Sequence, residues 1–275
     1  MTAAAPTLWK SINGRRSLLY LIAPRSPRYF TRAQIGILAE TDATKAQTSK
    51  KDDSVRAAEI RKAASESLLE FVANHGKEAA MHTAGSLLVA EIMLQADGGT
   101  CFQSFRLSPR PLPIRMTPSA GQQLTISHSP MLYTDQAAAT KTLLELIASP
   151  YPAPTTPPHP MDASHVERLY KTLLQGGHYD RSSKSITKPS SFSPSAFASS
   201  FLAALGRDVI VAMARGGRAF VVAGLCRRVS TEGTDEERML LRTWFTEKGV
   251  SMDIRAKEMK GKDVLLGSIN ALLSA

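Results

Sequence analysis

Apolar residues recur at helical spacing along almost the whole chain, and β-branched alternation bounded by turns is scarce, so the pattern predicts an all-α protein. The stretch 54–75 shows it most clearly. Ala57, Ile60, Ala64, Leu68 and Phe71 advance by three or four residues and line one helix face, while Arg56, Glu59, Arg61, Lys62, Glu66 and Glu70 take up the remainder. Asp53 or Ser54 offers a cap at its start, and Gly76 stands where a C′ glycine would end it. Further helices are expected over 31–40, 85–96, 135–148, 162–175, 194–205, 207–214, 218–229, 235–248 and 262–273. Ser193-Pro194 places a capping hydroxyl before a proline at the first helical position, and Gly176-Gly177 lets the chain leave the preceding helix with positive φ. Many short helices with short joints fit stacked helical hairpins, an α-solenoid in which each unit buries its apolar face only against its neighbours. No strict repeat period is visible.

Three stretches interrupt the helical pattern. Residues 98–134 contain no Lys, Asp or Glu but carry Arg106, Arg110, Arg115 and five prolines, so 99–134 is expected to be a disordered insertion. The proline-rich run 149–160 (SPYPAPTTPPHP) is expected to be an extended spacer, and 182–193 a polar loop.

Composition then narrows the classes. A chain of 275 residues with 43% hydrophobic and 21% charged side chains can bury a sizeable core. A net charge of +10 favours a polyanionic partner, nucleic acid or an acidic membrane surface. Two cysteines, Cys101 and Cys226, are too few for a disulfide framework and point to a reducing compartment. No stretch is read as approaching the ~20 apolar residues of a membrane span, and residues 1–10 lack an export signal. The charge is uneven: residues 1–62 hold twelve basic side chains against five acidic, a local +7, whereas 63–100 hold one against five.

Within that basic region, Asn13-Gly14-Arg15-Arg16-Ser17-Leu18-Leu19-Tyr20 joins two arginines to an apolar helix, and Arg25, Arg28 and Arg32 follow with Tyr29 and Phe30 interleaved. Guanidinium groups fork onto phosphates and stack on bases, which would make this a nucleic-acid surface. Solvated charges on a helix face, with Tyr29 and Phe30 as core plugs, remain the other reading. Lys50, Lys51, Arg56 and Lys62 could extend the same anion-binding surface. The string 169–179 (LYKTLLQGGHY) predicts Leu169, Tyr170 and Leu173 as packing residues. His178 has no carboxylate or nucleophile tied to it by spacing and is expected to bond backbone. The other histidines, His75, His82, His128, His159 and His165, show no ligand spacing, so no metal is expected, and neither Gly216-Gly217-Arg218 nor Gly261-Lys262 completes a phosphate loop.

Taken together, NGRRSLLYLIAPRSPRYFT, SKKDDSVRAAEIRKAASESLLEFV, GSLLVAEIML, RLYKTLLQGGHY, AFVVAGLC and GKDVLLGSINALL resemble the C-terminal half of the Puf-A/penguin family of Pumilio-like proteins, including its CPL domain. The resemblance implies an L-shaped α-solenoid that binds RNA or DNA through basic surfaces with little sequence preference. It also implies a nucleolar place in large ribosomal subunit assembly, with pre-rRNA, mRNA and pre-ribosomal proteins as partners, and translational control of mRNA in fungi. By the same resemblance 1–98 would be Pumilio-like repeats, entered partway through the array, and 135–275 a CPL-like helical region. Gly217, Arg218 and Gly224 depart from the family around the AFVVAGLC string and leave that repeat more basic.

Pumilio repeats that read a code set two or three side chains per repeat on one base. The corresponding trios here are Arg15, Arg16 and Leu19; Ser86, Leu87 and Ala90; and Ala219, Phe220 and Ala223, with no Gln or Glu for a base edge. Backbone contact is the mechanism left, through Arg15, Arg16, Arg25, Arg28, Arg32, Lys50, Lys51, Arg56 and Lys62. The expectation is thus a non-enzymatic RNA-binding protein without cofactor. Its competitor is a helical scaffold that docks assembly proteins without touching RNA.

Overall fold

The computed structural model describes residues 2–48, 50–97, 134–153, 157–180, 184–187, 189, 191–247 and 249–274. Among these, twelve α-helices follow in order: α1 Ala5–Leu8, α2 Ile12–Ile22, α3 Arg32–Thr48, α4 Asp53–Ala80, α5 Thr83–Gln95, α6 Thr134–Ile147, α7 Ser164–Gln175, α8 Pro194–Arg215, α9 Ala219–Glu232, α10 Asp235–Thr246, α11 Val250–Ala256 and α12 Lys262–Ser274. The expected insertion at 99–134 lies outside the described residues except for Thr134, which opens α6.

Two rows of helices run through the body. One row stacks α4 on α6 and α6 on α8; the other stacks α5 on α7, α7 on α9 and α9 on α12, and α4·α5, α7·α8 and α8·α9 join the rows. Each helix thus buries its apolar face against the next hairpin, which is the packing of an α-solenoid. A continuous core results, with Leu88, Ile92, Met93, Leu143, Leu173, Phe201, Leu225 and Leu265 wholly enclosed. Burial of each such side chain contributes about 1.5–3 kcal/mol.

Local signals account for most element ends. Ser193 Oγ accepts from the Ala196 amide at 3.3 Å, ahead of Pro194. Gly176 closes α7 at φ 73°, where a Cβ would also strike the Pro194 ring at 2.6 Å. Thr234 and Glu237 form a reciprocal capping box at the start of α10.

Several expectations are corrected. Gly76 does not stop α4, which continues to Ala80; it lies against Leu143 and Thr142 of α6, where a Cβ would make ordinary contact at 3.5 and 3.7 Å. Asp53 and Ser54 both lie inside α4, and the N-cap position is Asp52. Ile60 is exposed, because the first two turns of α4 extend past the helices that cover Ala64, Leu68 and Phe71. The loop 182–193 contains a strand, β2 (Ser185–Thr187), paired antiparallel with β1 (His178–Asp180). Helices α1 and α11 fall outside the stretches assigned above, while α2 covers the apolar helix read at 13–20.

The proline-rich run is no free spacer where it is described. Tyr151 and His159 are buried; the Tyr151 hydroxyl donates to the Gly216 carbonyl at 3.1 Å, and His159 Nδ1 accepts from the Met161 amide. Nor is it true that no stretch reaches membrane-span length: α8 does, by length and composition. Its apolar residues Phe197, Phe201, Leu202, Ile210, Val211 and Met213 are instead spent on the core, and Gly206 at φ 67° breaks it in two, in line with the split expected at 205–207.

Candidate nucleic-acid interface

Helix α2 begins where Ser11 Oγ accepts from the Gly14 amide at 3.0 Å. The end of α1 presses on that turn so closely that a Cβ on Gly14 would stand 2.1 Å from the Leu8 carbonyl oxygen. Arg15 completes the joint, donating to the Trp9 carbonyl at 2.8 Å and the Lys10 carbonyl at 3.2 Å. Arg16, one residue on, instead borders an open groove between α2 and α3.

The α2–α3 loop sorts its residues by direction. Arg25, at φ 61°, reaches the buried Asp42 carboxylate at 2.6 Å. Tyr29 turns inward and donates to Glu91 at 2.7 Å, and Phe30 is buried edge-on to Tyr20 with ring centres 6.4 Å apart. The aromatic residues of this loop are therefore packing residues, while Arg28 and Arg32 are exposed. Among the described residues no carboxylate pairs with Arg16, Arg28 or Arg32.

The second basic group lies at the far end of α3. Seventeen residues at 1.5 Å each separate Arg32 from it by about 25 Å. Lys51 pairs with Glu59 at 2.7 Å, and Arg56 binds Asp53 and the Lys51 carbonyl. Lys50 and Lys62 are exposed and face no carboxylate among the described residues. Of the nine basic residues singled out, five thus present uncompensated charge, and four are tied into the protein. A further exposed group, Arg255 at the end of α11 with Lys257 and Lys260 in the connection to α12, gives no clear signal in the sequence because acidic residues interleave with it there.

The trios that would carry a base code are mostly inside. Leu19, Ser86, Ala90, Ala219 and Ala223 are all buried, so no row of side chains stands ready to read bases. Arg218, one of the departures, donates to the Met161 carbonyl and Glu167 and so serves the core.

His178 does not bond backbone, as expected of it, but lies 2.7 Å from Glu91 Oε2, the oxygen that also accepts from Tyr29. Burial alone would raise the Glu91 pKa; the hydrogen bonds from His178, Tyr29 and Gln95 outweigh it and hold the carboxyl below its ordinary range. Spacing could not reveal this cluster, since 87 residues separate Glu91 from His178. His82 caps α5, and His165 bonds the Met81 carbonyl. Among the described residues no three His, Cys, Asp or Glu side chains gather as a metal set.

The fold and its charge define a helical-repeat protein with a basic N-terminal edge. The chain belongs to the CPL (NUC119) domain family, whose domain matches residues 10–184, and its fold is that of a Pumilio-like helical-repeat structure. It is similar to Pumilio homolog 3 of Homo sapiens, 32% identical over 96 residues, which is 35% of this chain and 14% of that protein. Pumilio homolog 3 of Rattus norvegicus is 30% identical over the same length and the same shares. The crystal structure of human Puf-A superposes with a TM-score of 0.61 at 18% identity, covering 97% of this chain and 42% of that one. Human Puf-A in complex with DNA gives 0.59 at 18% identity, covering 100% and 41%. The chain therefore spans about two fifths of those structures, and at this identity they establish the fold.

Proposed function

We propose that this chain binds RNA and DNA through phosphate contacts, with little sequence preference, and that it acts as a non-enzymatic factor in large ribosomal subunit assembly in the nucleolus, with a further part in translational control of mRNA. The observation that carries the nucleic-acid reading is the set of carboxylate-free cations, exposed Arg28, Arg32, Lys50 and Lys62 with half-buried Arg16, on a fold shared with a protein that has been crystallised with DNA. Buried code positions support sequence tolerance. The assembly role, its pre-rRNA and pre-ribosomal protein partners and the nucleolar location rest on the family resemblance alone.

Binding of single- and double-stranded RNA and DNA, measured by fluorescence anisotropy across a salt series, tests the reading. Five neutralised phosphates give a log K against log salt slope of about −3.5 on single strands. A flat response would favour the protein scaffold, for which Met239, Leu240 and Met252 are exposed apolar side chains.

A further inference from the structure

We infer that the groove between α2 and α3 is a binding site for one unstacked base of a single-stranded nucleic acid, an inference that rests on the nucleic-acid reading above and adds a base contact to it. The groove is shallow and open, with room of about 320 Å³, at the small end of ligand pockets, which suits a single flat ring system and not a docked helix. Its walls are apolar and of fixed geometry. Tyr20 and Phe30 meet edge-to-face at 86°, and Phe30 is buried, so the aromatic wall cannot fold away. Across from it, Gln34, Ile37 and Leu38 follow at steps of three and four and so share one face of α3. Ile37 is 64% exposed, a large apolar side chain left facing solvent beside an aromatic wall.

Two polar groups make the groove selective. Gln34 Oε1 accepts from the Thr31 amide at 3.0 Å and the Thr31 hydroxyl at 3.2 Å. The Thr31 amide can only donate, so it fixes which end of the Gln34 side chain faces it and leaves the Nε2 hydrogens for an acceptor in the groove. Arg16 stands at the rim with no carboxylate partner among the described residues, and no acidic side chain lines the groove. An apolar slot with an aromatic wall, one oriented amide donor and a guanidinium at its mouth matches a base together with its adjoining phosphate. The unpaired Arg16 at its rim, with Arg28 and Arg32 exposed on the α2–α3 loop and the start of α3, favours that anionic occupant over an apolar peptide. Stacking tolerates every base, so the site adds affinity without a code. A duplex keeps its bases stacked and cannot use it.

The test compares a single-stranded oligoribonucleotide with an abasic strand of the same length, which keeps the phosphates and lacks the bases. The full chain should bind the natural strand at least about fivefold more tightly. In the charge-neutral double variant Gln34→Ala with Ile37→Gln that difference should collapse, while the salt slope and helicity by circular dichroism stay as they were. Ultraviolet crosslinking of the unmodified protein to the natural strand, mapped by mass spectrometry, should place adducts at Tyr20, the half-buried ring that Phe30 holds in place. Equal affinity of the unmodified protein for both strands, or crosslinks confined to the 255–260 basic group, would overturn the base site while leaving the phosphate-binding reading intact. Failure to bind either strand would overturn both.

Discussion

Glu91 and His178 stand 2.7 Å apart inside the protein although 87 residues separate them in the chain, and the Tyr29 hydroxyl donates to the same Glu91 oxygen. One carboxylate thus fastens the α2–α3 loop and strand β1 to α5. Every polar atom of the cluster depends on the others, because little water reaches it.

Replacing Glu91 with Leu takes the shared acceptor from the Tyr29 hydroxyl and the His178 imidazole, leaving only their long mutual contact of 3.5 Å. Stability should fall by about 1–3 kcal/mol for each group stranded, read from urea denaturation, with Glu91→Gln less damaging because its amide oxygen still accepts.

The same carboxylate sets a pH dependence. Its folded pKa lies below the ordinary 4.5, so on acidification the unfolded chain takes up the proton first and the folded state loses ground. The Glu91 contribution is complete above that ordinary value and is lost as pH falls through the lower, folded one. Glu91→Gln should flatten this part of a stability–pH curve measured by thermal melting; an unchanged curve would refute the assignment.

Charge reversal should separate binding arginines from structural ones. Arg16, Arg28 and Arg32 changed together to Glu should weaken binding to all sequences alike and reduce the salt slope by about one for each phosphate no longer neutralised, with the fold intact. Arg25→Glu should instead destabilise by about 1–3 kcal/mol, since the buried Asp42 carboxylate loses its nearer cation, keeps only Lys45 at 3.8 Å and gains a like charge beside it. Parallel anisotropy and melting measurements on both variants distinguish the two.

Leu173 is wholly buried in the row formed by α5, α7 and α9. Leu173→Ala should cost about 2–5 kcal/mol by denaturant titration and leave nucleic-acid affinity of the folded protein unchanged.

Cys226 is enclosed in α9, and burial pushes its thiol up to about 12. Alkylation under native conditions should leave it unlabelled, while denaturation should make it react, as peptide mapping by mass spectrometry would show.

Periodicity alone determined the helical class, the stacking of hairpins and most helix positions, since an apolar stripe at three- and four-residue steps has no other way to leave water. Leu169, Tyr170 and Leu173 packed as their spacing demanded, and Ser193-Pro194 and Gly176 acted through purely local geometry. The charge count likewise located the basic edge. What a basic residue faces is another matter, because an ion pair depends on distance in space. Arg15 and Arg16 are neighbours in sequence, yet one serves carbonyls of the α1–α2 turn and the other opens on a groove. Only the folded chain could show that Asp42 claims Arg25, that Glu91 collects Tyr29 and His178, or that Gly76 lies against α6 instead of ending α4. Each of these turns on contact between segments far apart in the chain, and only the packing of the helices brings them together.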